Sequence, residues 1–216
     1  MPTAGDPERV WNAYVSQFSY VHSLAFDGNV TIESEAVYES GLQVFYQAPD
    51  SFAFMAEGTL GVDLVRGALV SDSGFWEIPR ERVHKRLEPG ERVNFENQEL
   101  QINIAELLDG IFFFRNSADF GFLQATGARF VYRGAGDNPV RIIELSRDSA
   151  TPTRQFLYTP DDTVEIQYSD WRTFSGHPFP YRVRLHWALS GLRVEYVVSR
   201  VSVNPTVPQF YFWPQF

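Results

Sequence analysis

The side chains best suited to acid-base or metal chemistry, the four histidines, are scattered along the chain at His22, His84, His177 and His186. No pair of them has the spacing by which a metal or proton-transfer site is usually assembled. The absence of cysteine excludes thiol catalysis, disulfides and cysteine-ligated metals. No nucleophile-elbow, zinc-protease, phosphate-loop or dinucleotide-binding motif is present. We therefore predict that the protein is not an enzyme and uses no cofactor or metal.

The charged residues favour a solvated surface over a charged binding site. The net charge is −9, and the acidic side chains are concentrated in the first half of the chain, which excludes nucleic acid as the expected partner. The most basic segment, 80–86, is interleaved with glutamates and is predicted to be an exposed hairpin. Because clustered Lys or Arg is what binds anionic lipid surfaces, any link to a membrane is predicted to be hydrophobic or covalent.

Two amphipathic helices are predicted. At the start of the chain Asp6 is a good N-cap and Pro7 suits the first helical position. Apolar residues then recur at three- and four-residue steps, namely Val10, Trp11, Tyr14, Phe18 and Val21. A second, short helix is predicted over 103–110 from a capping-box spacing and an apolar stripe that includes Leu107 and Leu108.

Elsewhere the hydrophobic period is two, which indicates strands with one apolar and one wet face. Val164, Ile166 and Tyr168, for example, alternate with polar residues. A sheet of about ten or eleven such strands must curl around the helices, pack on a second sheet or enclose a ligand. The predicted strands are 24–35, 42–48, 52–57, 62–70, 128–132, 140–145, 154–158, 164–168, 181–187 and 192–203.

Several local patterns also follow one another in a particular order. After the first helix and a long strand come FAFMAEGTLG at 52–61, DSGFW at 72–76, the short helical segment 104–110, VEIQYSDW at 164–171 and FPYRVRL at 179–185. In this order, over nearly the whole chain, they resemble the LolA/LolB-like superfamily of bacterial lipoprotein-localisation proteins. Each pattern is degenerate alone, and their order is the stronger signal.

The resemblance implies a mainly β fold in a single domain over 1–216, a curved antiparallel sheet forming an unclosed half-barrel with the two helices as a lid. It further implies that the protein binds lipid or lipoprotein acyl chains and traffics them between membrane surfaces of the cell envelope. Members are secreted, so we expect a periplasmic or outer-membrane-anchored lipoprotein, with signal and anchor absent from this sequence. Whether the mature protein is anchored stays open, and we expect a monomer.

The predicted lipid-binding residues are the apolar side of the strands together with the helical stripes. The strand candidates are Val44, Tyr46, Phe52, Phe54, Trp76, Phe130, Tyr132, Ile166, Tyr168, Leu185 and Trp187. The helical candidates are Trp11, Tyr14, Phe18, Leu107, Leu108 and Phe112.

Two alternatives stay open at this point. Leu60, between Gly58 and Gly61, resembles the exposed leucine with which receptor-type members contact the membrane, but it is equally compatible with a hairpin leucine folded onto the core. Likewise, large aromatic side chains plug a barrel as readily as they line one. A hollow barrel would be a lipid carrier, whereas a filled one would be a non-transport envelope module that binds a protein or polysaccharide.

Overall fold

The computed structural model describes residues 6–58, 63–70, 73–78, 83–87, 92–93, 102–103, 120–136, 139–160, 162–174 and 176–212. Its α-helix, α1, spans Pro7–Phe18 and begins as predicted. The Asp6 carboxylate accepts hydrogen bonds from the backbone N–H groups of Glu8, at 3.0 Å, and Arg9, at 3.5 Å. These bonds satisfy donors that the first helical turn leaves free.

Strands account for most of the remaining described residues. They are β1 Ser23–Glu33, β2 Val37–Gln47, β3 Ser51–Glu57, β4 Asp63–Val70, β5 Ser73–Ile78, β6 Val83–Leu87, β7 Arg92–Val93, β8 Ile102–Asn103, β9 Phe120–Thr126, β10 Arg129–Gly134, β11 Val140–Ser146, β12 Pro152–Tyr158, β13 Thr163–Phe174, β14 His177–Trp187 and β15 Arg193–Val203. Thirteen of these strands form one antiparallel sheet in the order β6-β5-β4-β3-β2-β1-β15-β14-β13-β12-β11-β10-β9, and β7 and β8 form a separate pair.

The main sheet is curved. It is also unclosed, because its two end strands, β6 and β9, are not paired to one another. Its concave face is apolar, and α1 packs against it through the buried side chains of Val10, Tyr14 and Phe18. The alternation within each strand explains this arrangement, since every second residue points to the same face. The mainly β prediction is therefore confirmed, with more strands in the sheet than the ten or eleven expected.

The convex face of β10 to β15 is polar. Arg129 pairs with Glu144 at 2.9 Å and Arg154 with Glu165 at 3.1 Å. Each of these pairs joins two neighbouring strands, and each is partly exposed, so each adds little to the free energy of unfolding. The pairs do establish which face of the sheet is in water.

The convex face of β2 to β5 carries an apolar patch, which the end of the chain covers. Phe212, in a 3-10 helix over Gln209–Phe212, is buried against Ala53 and Ala68. The ring of Tyr211 stacks on that of Phe45, with centroids 4.2 Å apart. The C-terminal aromatic segment thus packs on the back of the sheet.

A single asparagine fixes the junction between α1 and β1. The side-chain oxygen of Asn204 accepts from the backbone N–H of His22, at 2.8 Å, and of Ser23, at 3.2 Å, while its amide nitrogen donates to the Tyr20 carbonyl at 3.0 Å. Asn204 itself adopts a left-handed φ of 54°, a conformation that asparagine tolerates better than most residues. The end of β15 therefore holds the chain that leads from the helix into the sheet.

The structure differs from the sequence-based prediction at β9, and it describes little of the second predicted helix. Strand β9 was not predicted, because Phe120–Thr126 shows no alternation of polar and apolar residues. Of the second helix predicted over 103–110, the structure describes only Asn103, which belongs to β8; the remainder lies outside the described residues.

Candidate functional site

Most of the predicted lipid-binding residues lie together on the concave face. They belong to one buried cluster to which β1 to β3, β10 to β15 and α1 contribute. Two others, Trp11 and Phe54, are partly buried against that cluster. The buried members are Val44, Tyr46, Phe52, Phe130, Tyr132, Ile166, Tyr168, Leu185 and Trp187 from the strands, with Tyr14 and Phe18 from the helix.

Four predicted residues lie outside the described residues: Leu60, Leu107, Leu108 and Phe112. The strands β3 and β4 that flank Leu60 in sequence are antiparallel partners. The last residues of β3 and the first residues of β4 lie at the same end of the sheet as the β14–β15 turn, where Leu189 is 79% exposed.

The concave face has two parts, which differ in how tightly they are packed. In the packed centre, formed by β10 to β15, β1 and α1, Leu145, Leu157, Val164 and Ile166 are fully buried. The second part, here called the wing, is formed on β3 to β5 by Phe54, Val65, Trp76 and their neighbours Ala56 and Ile78. Phe54 contacts both clusters and joins the wing to the centre.

An aromatic group locks α1 onto the sheet near β9 and β10. The Trp11 ring lies 4.7 Å from that of Tyr132 and 5.2 Å from that of Phe120, centroid to centroid. The Tyr132 hydroxyl donates a hydrogen bond of 2.6 Å to the Pro7 carbonyl. This bond gives the buried Tyr132 hydroxyl a partner at the N-terminal end of the helix. The helix α1 therefore packs closely on Tyr132 without leaving the hydroxyl unpaired.

One polar pair lies within the packed centre. The Tyr168 hydroxyl donates to the side-chain oxygen of Gln155 at 3.2 Å, and Gln155 is 4% exposed. Because an unpaired amide in an apolar core is costly, this bond is what makes Gln155 tolerable on the concave face.

Burial also shifts the protonation of three tyrosines on this face. Desolvation raises the pKa of Tyr14 and of Tyr196 well above the ordinary value of 10.0. Desolvation, and to a lesser extent the negative charge of Asp6, raises the pKa of Tyr132 to about 12. All three are therefore neutral throughout the neutral and mildly alkaline range, and the concave face holds them as uncharged aromatic side chains.

These shifts predict loss of stability in alkali. A pKa raised on folding gives stability that is complete below the unfolded value of 10.0 and is lost as the pH rises toward the folded value. For Tyr132 alone the loss at pH 11 is on the order of 1 kcal/mol. Urea unfolding at pH 8 and pH 11 should show this loss in the wild type and a smaller one in Tyr132→Phe. An equal pH-dependent loss in the two proteins would contradict the assignment.

The same face includes many residues that were not predicted as lipid contacts. Most have the same signal, an apolar side chain at every second strand position. Among them are Leu24, Phe26, Val30, Leu42, Ile143, Leu145, Leu157, Phe179, Val183, Leu192, Val194, Tyr196, Val198 and Val201.

Within the described ranges, no group of three or more His, Cys, Asp or Glu side chains is placed to hold a metal ion. No helix in the same part of the chain is long and apolar enough to cross a membrane.

Comparison with known proteins bears on the fold. No protein-family model and no curated protein sequence matches the chain. Among solved structures, it is similar to a DUF1329 family protein from Desulfovibrio piger, with 11% identity, a TM-score of 0.71 and coverage of 95% of this chain and 96% of that one.

Two further structures are named for lipoprotein sorting. A domain assigned as an outer-membrane lipoprotein-sorting protein from Vibrio parahaemolyticus is 8% identical, with a TM-score of 0.70 and 97% of each chain covered. A LolA superfamily protein from Nitrosomonas europaea is 12% identical, with a TM-score of 0.67 and coverage of 96% of this chain and 97% of that one. The chain therefore shares the fold of these proteins along nearly its whole length, which confirms the resemblance at the level of fold.

Proposed function

We propose that the protein binds lipid or lipoprotein acyl chains on the concave face of its sheet and acts in lipoprotein or lipid trafficking at the bacterial cell envelope, as a binding protein and not an enzyme. The observation that supports this most strongly is one continuous apolar face on an unclosed sheet, in a fold shared with lipoprotein-sorting proteins. Apolar chains bind such a face because contact removes both surfaces from water.

The packed centre and the wing of the concave face have different roles in this function. Side chains such as Ile166 and Leu157 already contact protein on all sides, so they stabilise the fold. The wing is less enclosed at Phe54, and it extends away from α1 toward the end strand β6. We therefore place the acyl chain along the wing, in contact with Phe54. Leu60 is retained as the proposed contact with the outer or inner membrane.

The packed centre favours one alternative. If the whole concave face is filled as tightly as the region around Leu157, Val164 and Ile166, the same scaffold is a non-transport envelope module that binds a protein or polysaccharide. A bound lipid would exclude this alternative.

The test compares two phenylalanines that differ in the face they occupy. Phe54 and Phe45 lie on neighbouring strands, are both partly buried, and face the concave and convex sides respectively. Native mass spectrometry of protein from a bacterial host should detect co-purified lipid on the wild type and on Phe45→Ser. Phe54→Ser should lose most of it, although the two variants should be destabilised to a similar extent.

Thermal unfolding of both variants controls for misfolding. A wild type free of lipid that also takes up none when mixed with a fluorescent fatty acid would refute the carrier function. Equal lipid content in Phe54→Ser and Phe45→Ser would show that the wing is not where the lipid lies.

A further inference from the structure

The chain has a single lysine, Lys85, and it lies on the end strand β6. There it is directly opposite Trp76 of β5, and residues paired in this way point to the same face of a sheet. The Lys85 ammonium is 5.6 Å from the centroid of the Trp76 ring, which is 4% exposed. Lys85 therefore extends over the concave wing.

The neighbours of Lys85 on the strand face the other way. His84 is paired with Glu77, whose buried carboxylate contacts the His84 ring nitrogen Nδ1 at 2.8 Å and also pairs with Arg66. Arg86 is opposite Phe75, on the convex side. Of the three basic side chains of β6, only Lys85 is on the apolar side of the sheet.

A row of directly paired residues leads from Lys85 into the core. Each member belongs to the next strand of the sheet: Lys85, Trp76, Gly67, Phe54, Val44 and Phe26. The row crosses five strand spacings, or about 24 Å. One leaflet of a bilayer has a hydrocarbon thickness of about 15 Å, so an extended acyl chain spans about three of these spacings, from β6 to about β3.

Gly67 is what leaves the middle of this row flat. A Cβ atom at this position would lie 2.7 Å from the Phe54 ring, closer than carbon atoms approach in proteins. Without that atom, the Phe54 ring can lie over β4 between the core and Trp76. The row therefore presents two aromatic rings with no side chain standing between them.

The electrostatics of Lys85 differ from those of the arginines on the convex face. Arg129, Arg154 and Arg184, for example, each have a carboxylate partner on an adjacent strand. Within the described part of the chain no carboxylate pairs with Lys85, whose ammonium lies over the Trp76 ring. Lys85 is exposed, and a lysine beside an apolar surface with its charge accessible to water is typical of lipid boundaries.

We propose that Lys85 binds the anionic headgroup, a carboxylate or phosphate, of an amphiphile whose acyl chain lies along the row as far as Phe54. This inference rests on the proposed lipid-binding function and specifies the ligand as an anionic lipid. The ammonium donates charge-assisted hydrogen bonds to the headgroup oxygens, and Phe54 contacts the chain. A neutral lipid with the same tail gains only the apolar contacts.

The test uses ligands with one tail and different headgroups. Oleate and oleyl alcohol differ in the carboxylate, and lysophosphatidylglycerol and a monoacylglycerol of equal chain length differ in the phosphate. Binding is measured on delipidated full-length protein by displacement of a fluorescent probe. Lys85→Met should weaken binding of oleate, lysophosphatidylglycerol or both by about tenfold, the size expected for loss of a charged hydrogen bond, and leave binding of oleyl alcohol and the monoacylglycerol unchanged.

Arg86→Met is the matched control, since it removes the same charge from the next residue on the opposite face. It should leave the affinity for all four ligands unchanged, and both variants should melt like the wild type because both side chains are exposed. A response limited to oleate would identify a carboxylate headgroup, and one limited to the lysophospholipid would identify a phosphate.

Equal effects of Lys85→Met and Arg86→Met would overturn the role of Lys85, as would equal weakening of charged and uncharged ligands. In both cases the wild type still binds an acyl chain, so the proposed function stands. If the wild type binds none of the four ligands, the proposed function fails, and the headgroup site fails with it.

Discussion

Replacing Tyr14 by alanine should lower the free energy of unfolding by about 3 to 5 kcal/mol, the usual cost of removing a buried aromatic ring. Tyr14 is 1% exposed, and its ring lies between those of Trp11, 5.2 Å away, and Phe18, 5.6 Å away. For a protein of this length the loss corresponds to a fall in melting temperature of roughly 6 to 20 °C. Thermal and urea unfolding both measure it.

The control is Asn12→Ala, two residues earlier and on the exposed side of the same helix. Because alanine favours a helix more than asparagine does, this variant should be as stable as the wild type or slightly more stable. A Tyr14→Ala protein with the stability of Asn12→Ala would mean that α1 is a lid that opens at little cost. The expected large difference would mean that α1 is part of the core.

This distinction decides where a ligand can enter. If α1 is core, the centre of the concave face is closed by the helix, and an acyl chain reaches the protein along the wing, where Phe54 and Trp76 lie. The term lid, which the sequence suggested for α1, would then describe its position but not its behaviour.

The sequence predicted α1 and most of the sheet because the signals for both are local. Asp6 and the apolar stripe through Tyr14 specify the helix within three turns. The alternation of Val164, Ile166 and Tyr168 specifies both that β13 is a strand and which side of it is buried. Where a strand follows this rule, its candidate site residues fall on the concave face, as they do on β13 and β14.

The features that could not be predicted depend on distant parts of the chain. Phe45 alternates with buried residues and would be expected in water, yet Tyr211 covers it. Nothing near Phe45 in the sequence signals this contact. Likewise, alternation shows that Lys85 and His84 face opposite sides, but only the pairing of Lys85 with Trp76 shows which of them faces the wing.

The curvature that makes one face concave also has a local cause, in the pairing of β1 with β15. Their register shifts at Gly28, because Asp27 is opposite Arg200 whereas Gly28 is opposite Val198. Ser199 is thus the extra residue of a bulge, and its hydroxyl donates to the Asp27 carbonyl at 3.0 Å. Bulges increase local twist and bend a sheet, and this one lies in the middle of the strand order.

Gly28→Ala should therefore destabilise the protein by about 1 to 3 kcal/mol, the cost of overpacking a close contact. A Cβ atom at this position would lie 2.4 Å from the Val197 carbonyl oxygen and 3.1 Å from the Val198 Cα atom. Both are backbone atoms of the paired strand, so they can move only if the hydrogen bonds between β1 and β15 lengthen. Urea unfolding measures the change in free energy.

Gly41→Ala, on the adjacent strand β2, is the matched control. The nearest atoms to its added Cβ are 3.6 and 3.7 Å away, an ordinary contact distance, and alanine in a strand interior is favoured over glycine by about 0.5 to 1 kcal/mol. The two substitutions should therefore change stability in opposite directions, although both add one methyl group to a strand glycine. If Gly28→Ala is as well tolerated as Gly41→Ala, the bulge can reorganise, and the curvature of the concave face does not depend on the absence of a side chain at Gly28.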